Sequence, residues 1–202
     1  MTEQPKRIFA DKRDVFMRGE NIVLKVLTET DVRESGWYGW FNDKETTAFM
    51  QQRYFPNSLD KQLEFYKSSI LGSSQKIQLG ILPYETPHII GVVSLSGIDF
   101  VNRKAEFGIV IGERDVRGKG YGTEACAMIV KHGFERLSLN KITLGVLAEH
   151  TAAIRSYEKV GFRIEGTLRE DVLLNGAYHN TVQMSILASE FRAKEISSTI
   201  LP

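Results

Sequence analysis

The chain is 202 residues long with 42% apolar composition, enough to bury one sizeable core, and one domain rather than two is expected. Lys plus Arg exceed Asp plus Glu by one residue (26 against 25), which provides no global field for a nucleic acid or an anionic membrane surface. No apolar stretch approaches the roughly 20 residues of a membrane-spanning helix, and the opening MTEQPKRIFADKRD lacks the apolar core of a secretory signal, so a cytoplasmic location is expected.

Residues 1–20 mix charges of both signs around isolated apolar residues and read as an irregular arm. Ile22, Leu24 and Val26 alternate with Val23, Lys25 and Leu27, which predicts a strand, and a helix is expected from Thr28 or Thr30, as N-cap, through Trp37 and Trp40. Asn42-Asp43 is turn-prone. Ser58 can cap a helix carrying Leu63, Phe65, Tyr66, Ile70 and Leu71, with Gly72 at its end. The β-rich runs Ile77 to Leu82 and Ile89 to Leu95, parted by Pro83 and Pro87, predict a hairpin.

Ala105 to Ile111 reads as a further strand, followed by a Gly-rich turn and a helix displaying Ala125, Met128, Ile129, His132 and Phe134. A strand over Ile142 to Leu147, a short helix over Thr151 to Val160, and strands around Phe162 to Leu174 and Tyr178 to Leu187 complete the domain, which spans 21–191 and leaves 192–202 as a tail. Asn175-Gly176 is a strong hairpin signal, because both residues tolerate positive φ. Several strands join directly by hairpins and only the two later helices read as crossovers. A mixed-sheet α/β domain of the α+β kind is therefore expected rather than a doubly wound parallel sheet. The single Cys126 reads as a small buried hydrophobe, and with no second cysteine near a histidine no metal site is expected.

The most informative segment is Arg117-Gly118-Lys119-Gly120-Tyr121-Gly122-Thr123, between a strand and an amphipathic helix. Glycines there let successive backbone N–H groups converge on one anion, to which the helix adds its positive end; a diphosphate is the natural ligand. A Walker A loop would need Gly where Glu113 stands and Ser or Thr where Gly120 stands. A dinucleotide fingerprint would need its third glycine at Thr123. The remaining alternative is an ordinary Gly-rich strand-to-helix turn.

Downstream stands Val146-Leu147-Ala148-Glu149-His150-Thr151-Ala152-Ala153-Ile154-Arg155-Ser156-Tyr157-Glu158-Lys159-Val160-Gly161-Phe162. Arg117, Gly120 and Gly122 match the Arg/Gln-x-x-Gly-x-Gly/Ala signature, and Ala153 through Phe162 the Ala-Ile-x-x-Tyr-x-x-x-Gly-Phe pattern, of the GNAT superfamily of N-acetyltransferases. With Glu165-Gly166-Thr167-Leu168-Arg169 and Met184-Ser185-Ile186-Leu187, the chain from about Asn21 to Phe191 resembles the branch holding ribosomal-protein N-terminal, spermidine and amino-sugar acetyltransferases. The resemblance implies a single domain around a mostly antiparallel twisted sheet and acetyl-CoA as the acetyl-donor cosubstrate. It further implies that main-chain groups of Val110, Ile111 and Gly112 bond the pantetheine arm and that the amides from Arg117 to Thr123 hold the pyrophosphate. Ala153 falls in the cofactor-binding pattern as well. Where the family usually has a cofactor-bonding Asn this chain has His150, which either donates a comparable hydrogen bond or only begins a helix.

Amide formation from a thioester needs a neutral amine, a polarised carbonyl and a proton for the departing thiolate. By resemblance Tyr157 is that acid; an ordinary Tyr is protonated at neutral pH. The resemblance also makes Glu106, at the start of the strand leading to the Gly-rich turn, the first candidate base, acting through water; the other reading of Glu106 is an exposed strand residue, and a purely positional mechanism without a base also fits. For the acceptor, the cluster Trp37, Tyr38, Trp40, Phe41, Asn42 and Asp43 offers aromatic faces and polar groups, although Trp37 and Trp40 at helical spacing are more often core. Its wording is similar to nucleotide-linked amino-sugar acetyltransferases, which favours that acceptor slightly over a protein N-terminus or a polyamine. Enzymes of this kind often pair as dimers, to which the late hairpin could contribute. Two rivals stand beside this reading: a non-catalytic acyl-CoA sensor and a nucleotide-phosphate enzyme.

Overall fold

The computed structural model describes residues 14–50 and 55–193. The expected tail 192–202 and arm 1–20 thus lie largely outside the described residues. Eight strands form one sheet in the order β1-β2-β3-β4-β5-β6-β8-β7. They are β1 (Val15–Arg18), β2 (Ile22–Val26), β3 (Ile77–Pro83), β4 (Gly91–Asp99), β5 (Lys104–Ile111), β6 (Lys141–Leu147), β7 (Arg163–Leu174) and β8 (Ala177–Leu187). Every neighbouring pair is antiparallel except β5 with β6. The mixed, mostly antiparallel α+β domain predicted from the sequence is the architecture found. The described part of the arm departs from expectation, because Val15–Arg18 pairs with β2 as an edge strand.

Among the described residues five helices flank the sheet: α1 (Glu29–Glu34), α2 (Trp37–Trp40), α3 (Leu59–Ser69), α4 (Tyr121–Glu135) and α5 (Thr151–Val160). Thr28 caps α1 in a reciprocal capping box with Asp31, whose carboxylate also takes both hydrogen bonds of the buried Lys25 ammonium at 2.8 Å. A buried Lys is tolerable only with such a partner. The helix expected to run from Thr28 through Trp40 is broken in two at Gly36, whose φ of 58° is open to Gly and costly elsewhere. Ser58 caps α3, and Asn175 and Gly176 both take positive φ in the β7–β8 turn, as a two-residue hairpin requires.

The two faces of the sheet are covered differently. On one, α4 buries Ala125, Cys126, Ile129, Val130 and Phe134 against Leu95, Phe107, Ile142 and Ile186, with α5 contributing Val160. On the other, α1 to α3 pack Val32, Trp37, Trp40, Leu63 and Tyr66 over Val23, Leu82 and Val92 of β2 to β4. Among the described residues no helix is long and apolar enough to cross a membrane.

Candidate active site

Strands β5 and β6 pair through three positions, Lys104↔Lys141, Ala105↔Ile142 and Glu106↔Thr143, and then part, although β5 runs on to Ile111 and β6 to Leu147. A gap opens in the middle of the sheet. The register decides which main-chain groups face it. The Gly112 N–H is bonded to the Ile90 carbonyl at 2.9 Å, so with Val92 opposite Val110 and Ser94 opposite Gly108 the even-numbered residues of β5 turn their main chain to β4. The odd-numbered ones turn the other way, as the Arg103 carbonyl shows by accepting from Lys141 N across the joint. Ile109 and Ile111 therefore face the gap. On the opposite lip, the Ala148 N–H bonds the Asn180 carbonyl of the β6–β8 ladder, which leaves Gly145 and Leu147 facing the gap by the same alternation.

Of the three residues expected to bond the arm, Ile111 turns its main chain to the gap, Val110 turns it to β4, and Gly112 gives its N–H to Ile90 while its carbonyl accepts from Thr46 Oγ1 at 3.4 Å. Ile109, outside that set, also faces the gap. Gly112 has a different reason to be glycine: a Cβ there would fall 1.9 Å from the Trp40 ring.

At the open end of the gap lies the turn before α4. Gly118 and Gly120 take φ of 78° and 89°, and a Cβ on either would meet open space. None of the N–H groups from Gly118 to Thr123 has a backbone acceptor among the described residues, whereas that of Arg117 is used by the Arg114 carbonyl at 3.0 Å. Six of the seven N–H groups are thus left without a backbone acceptor at the start of a 15-residue helix, which fits an anion such as a pyrophosphate. The Arg117 side chain is turned inward, giving hydrogen bonds to the Ile111 carbonyl at 3.0 Å and to Thr46 Oγ1 at 2.8 Å. The Thr123 hydroxyl meets Ser156 Oγ at 2.5 Å and joins α4 to α5.

At the closed end stands Tyr157, on α5. Its ring is edge-on to Phe107, centroids 5.7 Å apart, and tilted against Phe162. Burial, with a smaller contribution from the neighbouring Cys126, pushes its phenol well above the usual range, so it is held as a proton donor. Ala153, one turn earlier, packs half-buried against the same core. His150 is the N-cap of α5 but makes no side-chain cap bond; its ring stacks on Phe49 with centroids 4.2 Å apart and planes at 7°. Burial, then the nearby Arg117, lowers its proton affinity and favours the neutral imidazole. Glu106 lies at the last β5–β6 pair, exposed, on the face opposite Ala105 and Phe107.

The residues expected to meet the acceptor are elsewhere engaged. Trp37 is 0% and Trp40 5% exposed, with Trp40 Nε1 bonded to Glu113 at 3.1 Å; both rings are core. Asn42 spends its amide on Asn57, giving to the carbonyl at 2.9 Å and accepting from the N–H at 2.8 Å. Asp43 is paired with Arg114 and accepts two hydrogen bonds from Thr46, which hold its carboxyl at about 2. Among the described residues no cluster of His, Cys, Asp and Glu could hold a metal, and Cys126 is buried as expected.

A mixed sheet split beside the one parallel pair among the described residues, with a glycine turn at the open end and a buried phenol at the closed end, is the arrangement the comparisons also recognise. Residues 21–163 match the acetyltransferase (GNAT) domain model, and the chain belongs to that family. It is 38% identical to the spermidine N(1)-acetyltransferase of Escherichia coli over 104 residues, 52% of this chain and 55% of that one. With the Vibrio cholerae spermidine N(1)-acetyltransferase it shares 32% over 134 residues, 66% of this chain and 76% of that one. The match to the E. coli relative thus spans about half of that protein's length. Among solved structures, spermidine N-acetyltransferase from Vibrio cholerae in complex with CoA and spermine aligns with a TM-score of 0.76 at 28% identity, covering 85% of this chain and 98% of that one.

Proposed function

We propose that the chain transfers an acetyl group from acetyl-CoA to a primary amine. The observation that carries this is the placing along one gap of six amides without a backbone acceptor among the described residues, the gap-facing main chain of Ile111 and Ile109, and the phenol of Tyr157. Acetyl-CoA, when bound, supplies an activated carbonyl and a thiolate leaving group. The amides of Gly118 to Thr123 hold its diphosphate, while Ile109 and Ile111 fix the arm as a neighbouring strand would be fixed. A neutral amine forms the new N–C bond as the C–S bond breaks; Tyr157 gives its proton to the sulfur and is reprotonated from solvent. The proton lost by the amine passes to Glu106 through water, or to bulk water if positioning alone suffices.

For the acceptor, an aliphatic polyamine is the better supported class. The relatives named above are spermidine acetyltransferases by name, and Glu106, beside the vertex of the gap, has no ion-pair partner among the described residues, so it can meet a second ammonium group. The amino-sugar preference gains no such support. Thiol release from acetyl-CoA against spermidine, an N-terminal peptide and a nucleotide-linked amino sugar tests the assignment. Release with spermidine alone is expected; release only with the sugar reverses the acceptor class, and acetyl-CoA binding without release on any amine favours a sensor. The homodimer belongs to the same proposal: edge strand β7 leaves Ile164 and Leu168 about half exposed, an apolar strip that a second copy would cover.

A further inference from the structure

Residues 43–50 leave α2 and cross the open end of the gap, fastened at both lips. On the β5 side, Asp43 accepts from Thr46 N at 2.8 Å and from Thr46 Oγ1 at 2.7 Å, and Arg117 gives to both Thr46 Oγ1 and the Ile111 carbonyl. Thr47, 1% exposed, bonds the Asp43 carbonyl through its hydroxyl at 2.7 Å. On the β6 side, Phe49 lies flat on His150, whose N–H is bonded to the Leu147 carbonyl at 2.9 Å. Between the two fastenings run Thr46 to Phe49. The segment makes this crossing in turn conformation, with Thr47 N bonded to the Asp43 carbonyl at 3.0 Å and Met50 N to the Thr47 carbonyl at 3.0 Å.

We propose that Phe49 is a positioning residue: stacked on His150, it clasps the segment 46–49 across the gap and retains the arm of the donor beneath it. The inference rests on the acetyl-CoA reading. Phe49 is 44% exposed: one face of its ring is taken by the His150 imidazole, and among the described residues no other ring stacks on it. Neutral His150 suits a flat stack, and the fastening at Arg117 joins the clasp to the phosphate cradle, so cradle and clasp are set by the same guanidinium. A clasp acts on departure, so its removal should speed release of the donor and leave the acid at the far end of the gap untouched.

Stopped-flow displacement of acetyl-CoA, together with separate KM values for donor and acceptor, tests this in wild type, Phe49→Ala and Phe49→Tyr. Loss of one stacked pair corresponds to roughly 3- to 10-fold. The expected result is dissociation faster by that factor and a donor KM raised to match in Phe49→Ala, with kcat, acceptor KM and unfolding midpoint near wild type, and recovery in Phe49→Tyr. Unchanged release in Phe49→Ala overturns the clasp while leaving the acetyl-CoA reading intact. So does a fall of kcat and of the unfolding midpoint together with a rise of both KM values, which marks a structural role only. Failure of wild type to bind acetyl-CoA at all overturns both.

Discussion

The Tyr157 ring meets Phe107 edge-on at 5.7 Å, and Phe107 is the first residue of β5 beyond its last pair with β6. The phenol is therefore anchored at the vertex of the gap by a contact that does not involve its hydroxyl. Tyr157→Phe keeps that contact and removes only the proton. Turnover should fall by about 10²-fold, the usual scale of a positioned acid, with acetyl-CoA affinity and unfolding midpoint unchanged. Steady-state kinetics beside a binding titration checks this; an unaltered kcat removes Tyr157 from the chemistry.

Glu106 is exposed and its carboxylate has no ion-pair partner among the described residues, so Glu106→Gln should leave stability at the wild-type level. If it takes the amine proton, kcat/KM should drop about 10²-fold and the acid limb of its pH profile should shift. A profile and rate matching wild type would leave positioning as the source of the acceleration.

Two glycines at the gap predict different failures. Gly120 has a φ of 89° and faces open space, so Gly120→Val imposes a left-handed residue, costing roughly 1–2 kcal/mol, inside the cradle; acetyl-CoA affinity should fall about tenfold or more. Gly112→Ala would set a methyl 1.9 Å from the Trp40 ring, and the cost is overpacking, about 1–3 kcal/mol. Thermal unfolding should register the second variant, and donor titration the first.

His132 and His150 are both held below the ordinary imidazole value of 6.5, chiefly by burial and then by Arg136 and Arg117 respectively. Below pH about 6.5 the unfolded chain takes up these protons before the folded one does. Stability is therefore fully present above that pH and lost as pH falls through the depressed folded values. Unfolding midpoints measured from pH 7.5 to 5 should decline, and His132→Gln, which never charges, should decline less. Parallel curves would mean that His132 protonates equally in both states.

Local signals in the sequence were sufficient for elements whose boundaries are set by their own residues. Ser58 before α3, Thr28 before α1 and Asn175-Gly176 between β7 and β8 satisfy backbone groups or φ demands within a few residues, and α5 spans Thr151–Val160 as read. The glycine turn was legible for the same reason. What escaped depends on partners far along the chain. Whether Val110 or Ile109 faces the gap is fixed by register with β4, and no residue type reports it. Trp37 and Trp40 have the composition of an acceptor site, but α3 and β2 bury them. Phe49 carried no signal, since its role exists only once α5 brings His150 beneath it.

The short joint between β5 and β6 has a consequence for cooperativity. Among the described residues three ladder pairs connect the sub-sheet β1–β5 to the sub-sheet β6–β8, against seven between β6 and β8, and helix α4 is the crossover between the halves. The two sub-sheets are thus candidates for separate cooperative units, each able to loosen with the other intact. A molecule seated in the gap bonds to both, so its binding energy enters as coupling between them. Loading the site would convert two weakly joined units into one that exchanges its amide hydrogens, and unfolds, as a whole.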